Sequence, residues 1–210
     1  MSKIIDISPE IDSSLAVFPG DTPFEREVAM SFDQGNHLTL SSIKSTVHLG
    51  AHTDAPNHYS ETGEGIEAAD LSTYYGECQV IEVRECAQDG RIPLKALKDT
   101  KILANKVLFK TNSFPDHRKW KDDFWSLSAE LIDWLASKKV KLVGIDTPSI
   151  DPADSKELEA HQAVKQNDMR ILEGILLAEV EEGLYTLIAL PLKIKSADAS
   201  PVRAVLIAKS

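Results

Sequence analysis

The chain has 210 residues, 42% hydrophobic and 27% charged, the composition of a globular protein of one domain's length (residues 1–210), and no apolar run approaches the ~20 residues of a membrane span. A formal net charge of -10 argues against a nucleic-acid partner, since phosphate binding rests on clustered Lys and Arg, and Lys138-Lys139-Val140-Lys141 is too short to reverse that. Cys78 and Cys86 flank a strand-like segment that would hold them about 26 Å apart at ~3.3 Å per residue; free thiols, and an N-terminus without a signal peptide's apolar region, point to the cytoplasm.

In chain order, Lys3 to Ile7 alternates as a short strand and Ser8-Pro9 turns out of it. Val17 to Pro23 is a loop fixed by two prolines and a glycine, with Phe18 near its start. Phe24 to Met30 and Leu38 to Val47 alternate as paired strands around a turn at Asp33 to Asn36. After a polar loop from Ser60 to Gly65, the pattern predicts a short helix within 68–75, a strand over 78–85, one or two helical turns at 93–98 and a buried strand at 106–111. Residues 112–127 form an unusually aromatic loop with Pro115, His117, Trp120, Phe124 and Trp125; such a loop serves either a functional site or a hydrophobic flap. A helix from Ser128, capped by Ser128 or Ser126, leads into a strand over 141–146, the local signature of a layered α/β protein. Residues 155–167 read as a helix carrying His161, 169–172 leads to Glu173-Gly174, and 184–190 and 203–208 are strands joined by a loop over 191–201.

Chemistry concentrates in His48-Leu-Gly-Ala-His52-Thr-Asp54-Ala-Pro56-Asn-His58, which holds three of the six histidines. The even spacing of 48, 52, 54 and 58 puts all four side chains on one face of an extended chain, and Pro56 argues against a helix. Imidazole nitrogens with a carboxylate suit Zn²⁺ or a similar divalent ion, and a carboxylate can bridge two ions, so the available chemistry is hydrolytic. Spacing permits His58 as either a further ligand or a proton carrier. More distant ligands are needed to complete such a site. His161 and Glu173 are the candidates, the latter because a carboxylate after the apolar run Met169-Arg-Ile-Leu172 is costly to bury without a partner.

The run His48-x-Gly50-x-His52-x-Asp54-x-Pro56-x-His58 resembles the signature of the cyclase-type metal hydrolases. Phe18-Pro-Gly-Asp-Thr-Pro, Gly144-Ile-Asp-Thr-Pro-Ser-Ile-Asp151, and His161 through Ile171-Leu-Glu173-Gly resemble that family's other landmarks in the same order, and the match is strongest to its bacterial formamidase branch. The resemblance implies a swivelling β/β/α fold, a homodimer and two zinc ions per subunit, with manganese as an alternative. It assigns His48 and His52 to the first metal, Asp54 and Glu173 to a bridge, His161 to the second metal, and His58 to proton transfer. Phe18 stands where the formamidases carry a substrate-facing tryptophan, and Ala51 where much of the family has threonine. The implied reaction is hydrolysis of the small molecule N-formyl-L-kynurenine to L-kynurenine and formate. An isatin hydrolase opening a cyclic amide is the nearer alternative, and a metal-binding module without turnover the farther one. There is no Gly-x-Ser-x-Gly elbow to support a serine hydrolase.

Overall fold

The computed structural model describes residues 3–208; the ends of the expected domain, residues 1–2 and 209–210, lie outside the described residues. Among the described residues thirteen strands occur in chain order: β1 Ile4–Asp6, β2 Glu25–Met30, β3 Leu40–Lys44, β4 His52–Asp54, β5 Tyr75–Glu82, β6 Arg91–Ile92, β7 Lys106–Lys110, β8 Ser126–Leu127, β9 Leu142–Ile145, β10 Arg170–Leu172, β11 Gly183–Ile188, β12 Ala199–Pro201 and β13 Val205–Ala208. Helices α1 (Ala129–Ser137) and α2 (Glu159–Gln166) complete the set, with several 3₁₀ turns. Seven strands form one sheet in the order β1-β13-β11-β5-β7-β9-β10, parallel from β5 to β10 and antiparallel from β5 through β11 and β13 to β1.

The central strands are apolar at nearly every position because the sheet is covered on both faces. Side chains alternate between two cores. Ile81, Val107, Phe109, Val143, Ile145 and Ile171 face α1 and α2, packing with Leu131, Ile132, Leu135 and Val164. Cys78, Val80, Leu108, Leu142 and Leu172 face the opposite way, toward Ala51, Ile175, Leu187 and Leu206. This second core seats the β4 region against the sheet. Within β9, Gly144 lies close against β7, and a Cβ there would lie 2.4 Å from Leu108 Cδ2.

Ser128, not Ser126, caps α1: its Oγ accepts from Leu131 N at 3.2 Å. The β2–β3 hairpin forms as expected and stands largely exposed, with its turn made by a 3₁₀ helix ending at Gly35 (φ 77°). Several boundaries differ from the sequence reading. Residues 68–75 form no α-helix but lie among two 3₁₀ turns, Ile66–Ala68 and Leu71–Tyr74, the latter capped by Asp70. The strand expected at 78–85 begins earlier, at Tyr75, since pairing with β11 extends to Tyr75↔Ile188. Helix α2 begins at Glu159 rather than 155. The loop 191–201 contains β12, which pairs antiparallel with β4 through Ala199↔Asp54 and Pro201↔His52.

Candidate active site

Strand β4 organises the site. On one side it pairs with β12; on the other, His52 and Glu173 exchange backbone hydrogen bonds (His52 N to Glu173 O at 3.1 Å, Glu173 N to His52 O at 2.9 Å). That exchange joins the two sequence-distant halves of the predicted ligand set. It requires the next residue to be glycine: Gly174 has φ 65°, and a Cβ there would sit 2.1 Å from the Gly50 carbonyl oxygen.

The expected extended conformation holds only for His52–Asp54, whose side chains share a face while Thr53 turns away to donate to Ile171 O at 2.6 Å. His48 reaches the same place through a bend at Gly50 (φ 57°), and His58 through the 3₁₀ turn Pro56–His58. The rings converge nonetheless, with centroids of His48 and His52 5.1 Å apart and those of His48 and His58 4.3 Å apart.

Asp54 lies at the centre, fully buried, and neither carboxylate oxygen makes a hydrogen bond. Three imidazole nitrogens surround it outside hydrogen-bond alignment: His48 Nδ1 at 3.1 Å, His52 Nε2 at 3.5 Å and His161 Nε2 at 3.4 Å. His52 Nε2 also lies 3.2 Å from Glu173 Oε2, while Glu173 Oε1 accepts from Ile150 N at 2.7 Å. The other nitrogen of His52 is committed, since Nδ1 at 2.9 Å from the Gly50 carbonyl must carry a proton. Only Nε2 of His52 is thus left to face the two buried carboxylates, and that contact needs a positive charge, a proton or a metal cation, between the two sides. These groups fit a divalent metal. Two donor sets have atoms within 4.8 Å of one another, His52–Asp54–Glu173 and His48–Asp54–His58, and Asp54 belongs to both. His161 falls in neither set, although its Nε2 is also 3.9 Å from Glu173 Oε1.

Two acids not singled out from sequence as site residues support the imidazoles. Asp151 is buried and accepts from Ala160 N (3.0 Å), His161 N (3.1 Å) and His161 Nδ1 (2.7 Å), so one carboxylate starts α2 and fixes the tautomer of His161. It also explains the late helix start, since Leu158 (φ 49°) offers no side-chain cap. Asp198 Oδ2 lies 3.0 Å from His48 Nε2 and 3.9 Å from His58 Nδ1, brought there by the β12–β4 pairing.

Without a metal the cluster retains protons. Burial alone would lower the pKa of His48, but Asp54 and Asp198 lift it to about 9; burial opposes His161 likewise, and Asp151 and Asp54 lift it to about 10. Burial raises the carboxyl of Asp54, yet pairing with His161 and His48 holds it well below the usual range. His58, whose side chain is 34% exposed, is shifted the other way, pulled below 6.5 by burial. Both raised pKa values exceed the unfolded value of ~6.5, so this stabilisation is fully present below that pH and is lost as pH rises through about 9 and then about 10. EDTA-treated protein should therefore melt at progressively lower temperature between pH ~6.5 and ~9.5, and bound metal should flatten the dependence by replacing the protons. A melting temperature that is level or rising in metal-free protein across that range would contradict the assignment.

A cavity of about 430 Å³ opens onto this cluster, with His48, His52, His58, His161 and Glu173 in its lining. Its aromatic wall comes from two loops joined by the bond from Ala16 N to His117 O at 2.9 Å. Phe18 is 38% exposed and meets Trp120 edge-on at 4.8 Å, backed by Phe114 and Phe124. The aromatic segment 112–127 thus lines the cavity and also packs onto the core.

The Cyclase family model matches residues 5–152. A kynurenine formamidase of Bordetella pertussis (strain Tohama I) is 43% identical over 206 residues, 98% of each chain. Among solved structures, a predicted metal-dependent hydrolase from Bacillus stearothermophilus superposes with a TM-score of 0.84 at 28% identity, covering 100% of both chains. An isatin hydrolase bound to the product analogue thioisatinate superposes with a TM-score of 0.84 over 100% of this chain and 93% of that one, a likeness of fold alone at 19% identity. The mixed α/β architecture is the one these structures share, as the motifs imply. By sequence along most of its length and by fold, the chain belongs to the cyclase family and is a hydrolase.

Proposed function

We propose that the chain is a single-domain kynurenine formamidase, hydrolysing N-formyl-L-kynurenine to L-kynurenine and formate with two Zn²⁺ ions, or Mn²⁺ in their place. The observation that carries the reading is the buried Asp54 carboxylate, unbonded and ringed by imidazole nitrogens, beneath a cavity with an aromatic wall. The name of the relatives supports the substrate. His48 and His52 would hold one ion and His161 the other, with Asp54 and Glu173 between them. When bound, such an ion pair lowers the pKa of water towards ~7 and stabilises negative charge on the formyl oxygen.

The chain's own residues do the rest. Phe18 and Trp120 present ring surface to the aryl group of the substrate, orienting its formamide toward the histidine cluster. His58, on the solvent side of that cluster, gives a proton to the aniline nitrogen as the carbon–nitrogen bond breaks. Asp151 and the Gly50 carbonyl hold the Nδ1 protons of His161 and His52, keeping both Nε2 atoms directed inward. The same reading makes the protein a cytoplasmic homodimer. Its free cysteines, and the exposed Phe32, Leu40 and Ile43 around the β2–β3 hairpin, support that part.

An absorbance assay on N-formylkynurenine beside isatin, with metal analysis of the same preparation, tests the reading; turnover of isatin alone would move the protein to the other branch. Phe18→Ala should raise KM for the formamide by an amount on the order of 0.5–1.5 kcal/mol and leave thermal stability nearly unchanged. A sharp fall in melting temperature with KM unaltered would make Phe18 a packing residue instead.

A further inference from the structure

The segment Phe18-Pro19-Gly20-Asp21 does more than present an aromatic ring. Asp21 N donates to Phe18 O at 2.9 Å and Gly20 has φ 99°, the geometry of a type II turn with proline and glycine at its two central positions. Such a turn brings its first and last residues together, and both Phe18 and Asp21 line the cavity. Asp21 is exposed at the mouth, and its carboxylate accepts one hydrogen bond, from Thr46 Oγ1 at 3.2 Å. Thr46 Oγ1 in turn accepts from His48 N at 3.2 Å, and Thr46 N donates to Thr22 O at 2.9 Å, so the turn is held on the same rim as the histidine cluster.

Charge singles out Asp21. Among the described residues no Lys or Arg lines the cavity, and Asp21 forms no ion pair. The other two lining carboxylates, Glu173 and Asp198, face imidazoles. A carboxylate beside an aromatic ring, with its remaining lone pairs open to a cavity, matches a ligand carrying an aryl group and a primary ammonium. N-formyl-L-kynurenine has an ammonium and a carboxylate at the end remote from its formamide. With Asp21 unpaired on this rim and no Lys or Arg in the lining among the described residues, the ammonium is the group that faces the turn.

We propose that the Phe18–Asp21 turn is an aryl-ammonium subsite, in which Asp21 accepts hydrogen bonds from the α-ammonium of the substrate and leaves the α-carboxylate facing solvent. This rests on the formamidase reading and specifies how that site selects its substrate. The test is steady-state kinetics on N-formyl-L-kynurenine and on its analogue with hydrogen in place of the amino group and the carboxylate retained. The wild-type enzyme should prefer the amino compound by about fivefold in kcat/KM, carried by KM and shrinking with added salt, as for an ion pair reached by solvent. Asp21→Asn should lose that preference and Asp21→Glu should keep part of it; because each ratio is taken within one preparation, a partly folded variant still reports. A preference that survives in Asp21→Asn, or is missing from the wild-type enzyme, overturns the subsite while formamide hydrolysis stands. A wild-type enzyme that turns over neither compound overturns the formamidase reading and the subsite with it.

Discussion

Asp54→Asn is expected to lose bound metal and activity together, with kcat/KM falling by more than roughly 10²-fold, beyond the cost of disturbing a group that only supports a ligand. Asp54 is the one residue common to both donor sets, and three imidazole nitrogens within 3.5 Å face its oxygens. An amide keeps the shape and removes the charge that offsets two cations, and its NH₂ group presents protons where an acceptor is required. The fold should survive. Burying a neutral amide costs less than burying an uncompensated carboxylate, so far-UV circular dichroism of the variant should match the wild type. Glu173→Gln is expected to behave similarly, since Glu173 is also buried and reaches His52 Nε2 at 3.2 Å. Full metal occupancy with an unchanged rate in Asp54→Asn would remove it from the centre.

That His48, His52, Asp54, His58, His161 and Glu173 gather at one place was legible in the sequence; the path by which they meet was only partly so. Alternation correctly puts His52 and Asp54 on one face of β4, but the same logic does not extend to His48 and His58. Gly50 takes a left-handed conformation and Pro56 starts a 3₁₀ turn, and each resets the direction of the following side chain. Convergence came from tertiary packing. Asp198 carried no local signal, because the strand that delivers it is three residues long, contains proline, and exists only by pairing with β4. Asp151 was visible as part of a motif, yet its capping of α2 spans 9 residues to Ala160, beyond the three-residue spacing by which a cap is recognised. The aromatic loop was read as either functional or a flap, and Trp120 answers both descriptions by touching Phe18 at the cavity and Phe124 beneath it.

His58→Ala separates ligand from proton carrier within one motif. Geometry permits both roles, since His58 belongs to a donor set with His48 and Asp54, and its ring also faces the cavity. Its surroundings favour the carrier. His52, Asp54, His161 and Glu173 are each buried, whereas the His58 side chain is 34% exposed, 3.9 Å from the half-exposed Asp198 carboxylate. A group on the solvent side can exchange protons with bulk water between turnovers, which a buried ligand cannot. The departing aniline nitrogen needs a proton, and an imidazole whose pKa burial holds below the usual ~6.5 gives up a proton readily once it has taken one. The variant should keep close to wild-type metal content while kcat falls by roughly 10²–10⁴-fold, the range for losing a general acid or base. The deficit should shrink for a formanilide bearing a ring nitro group, whose aniline leaves with less help from a proton, and no such shrinkage is expected from a damaged metal centre. Metal lost in proportion to activity, with equal deficits on both substrates, would make His58 a ligand and end the proton-carrier assignment.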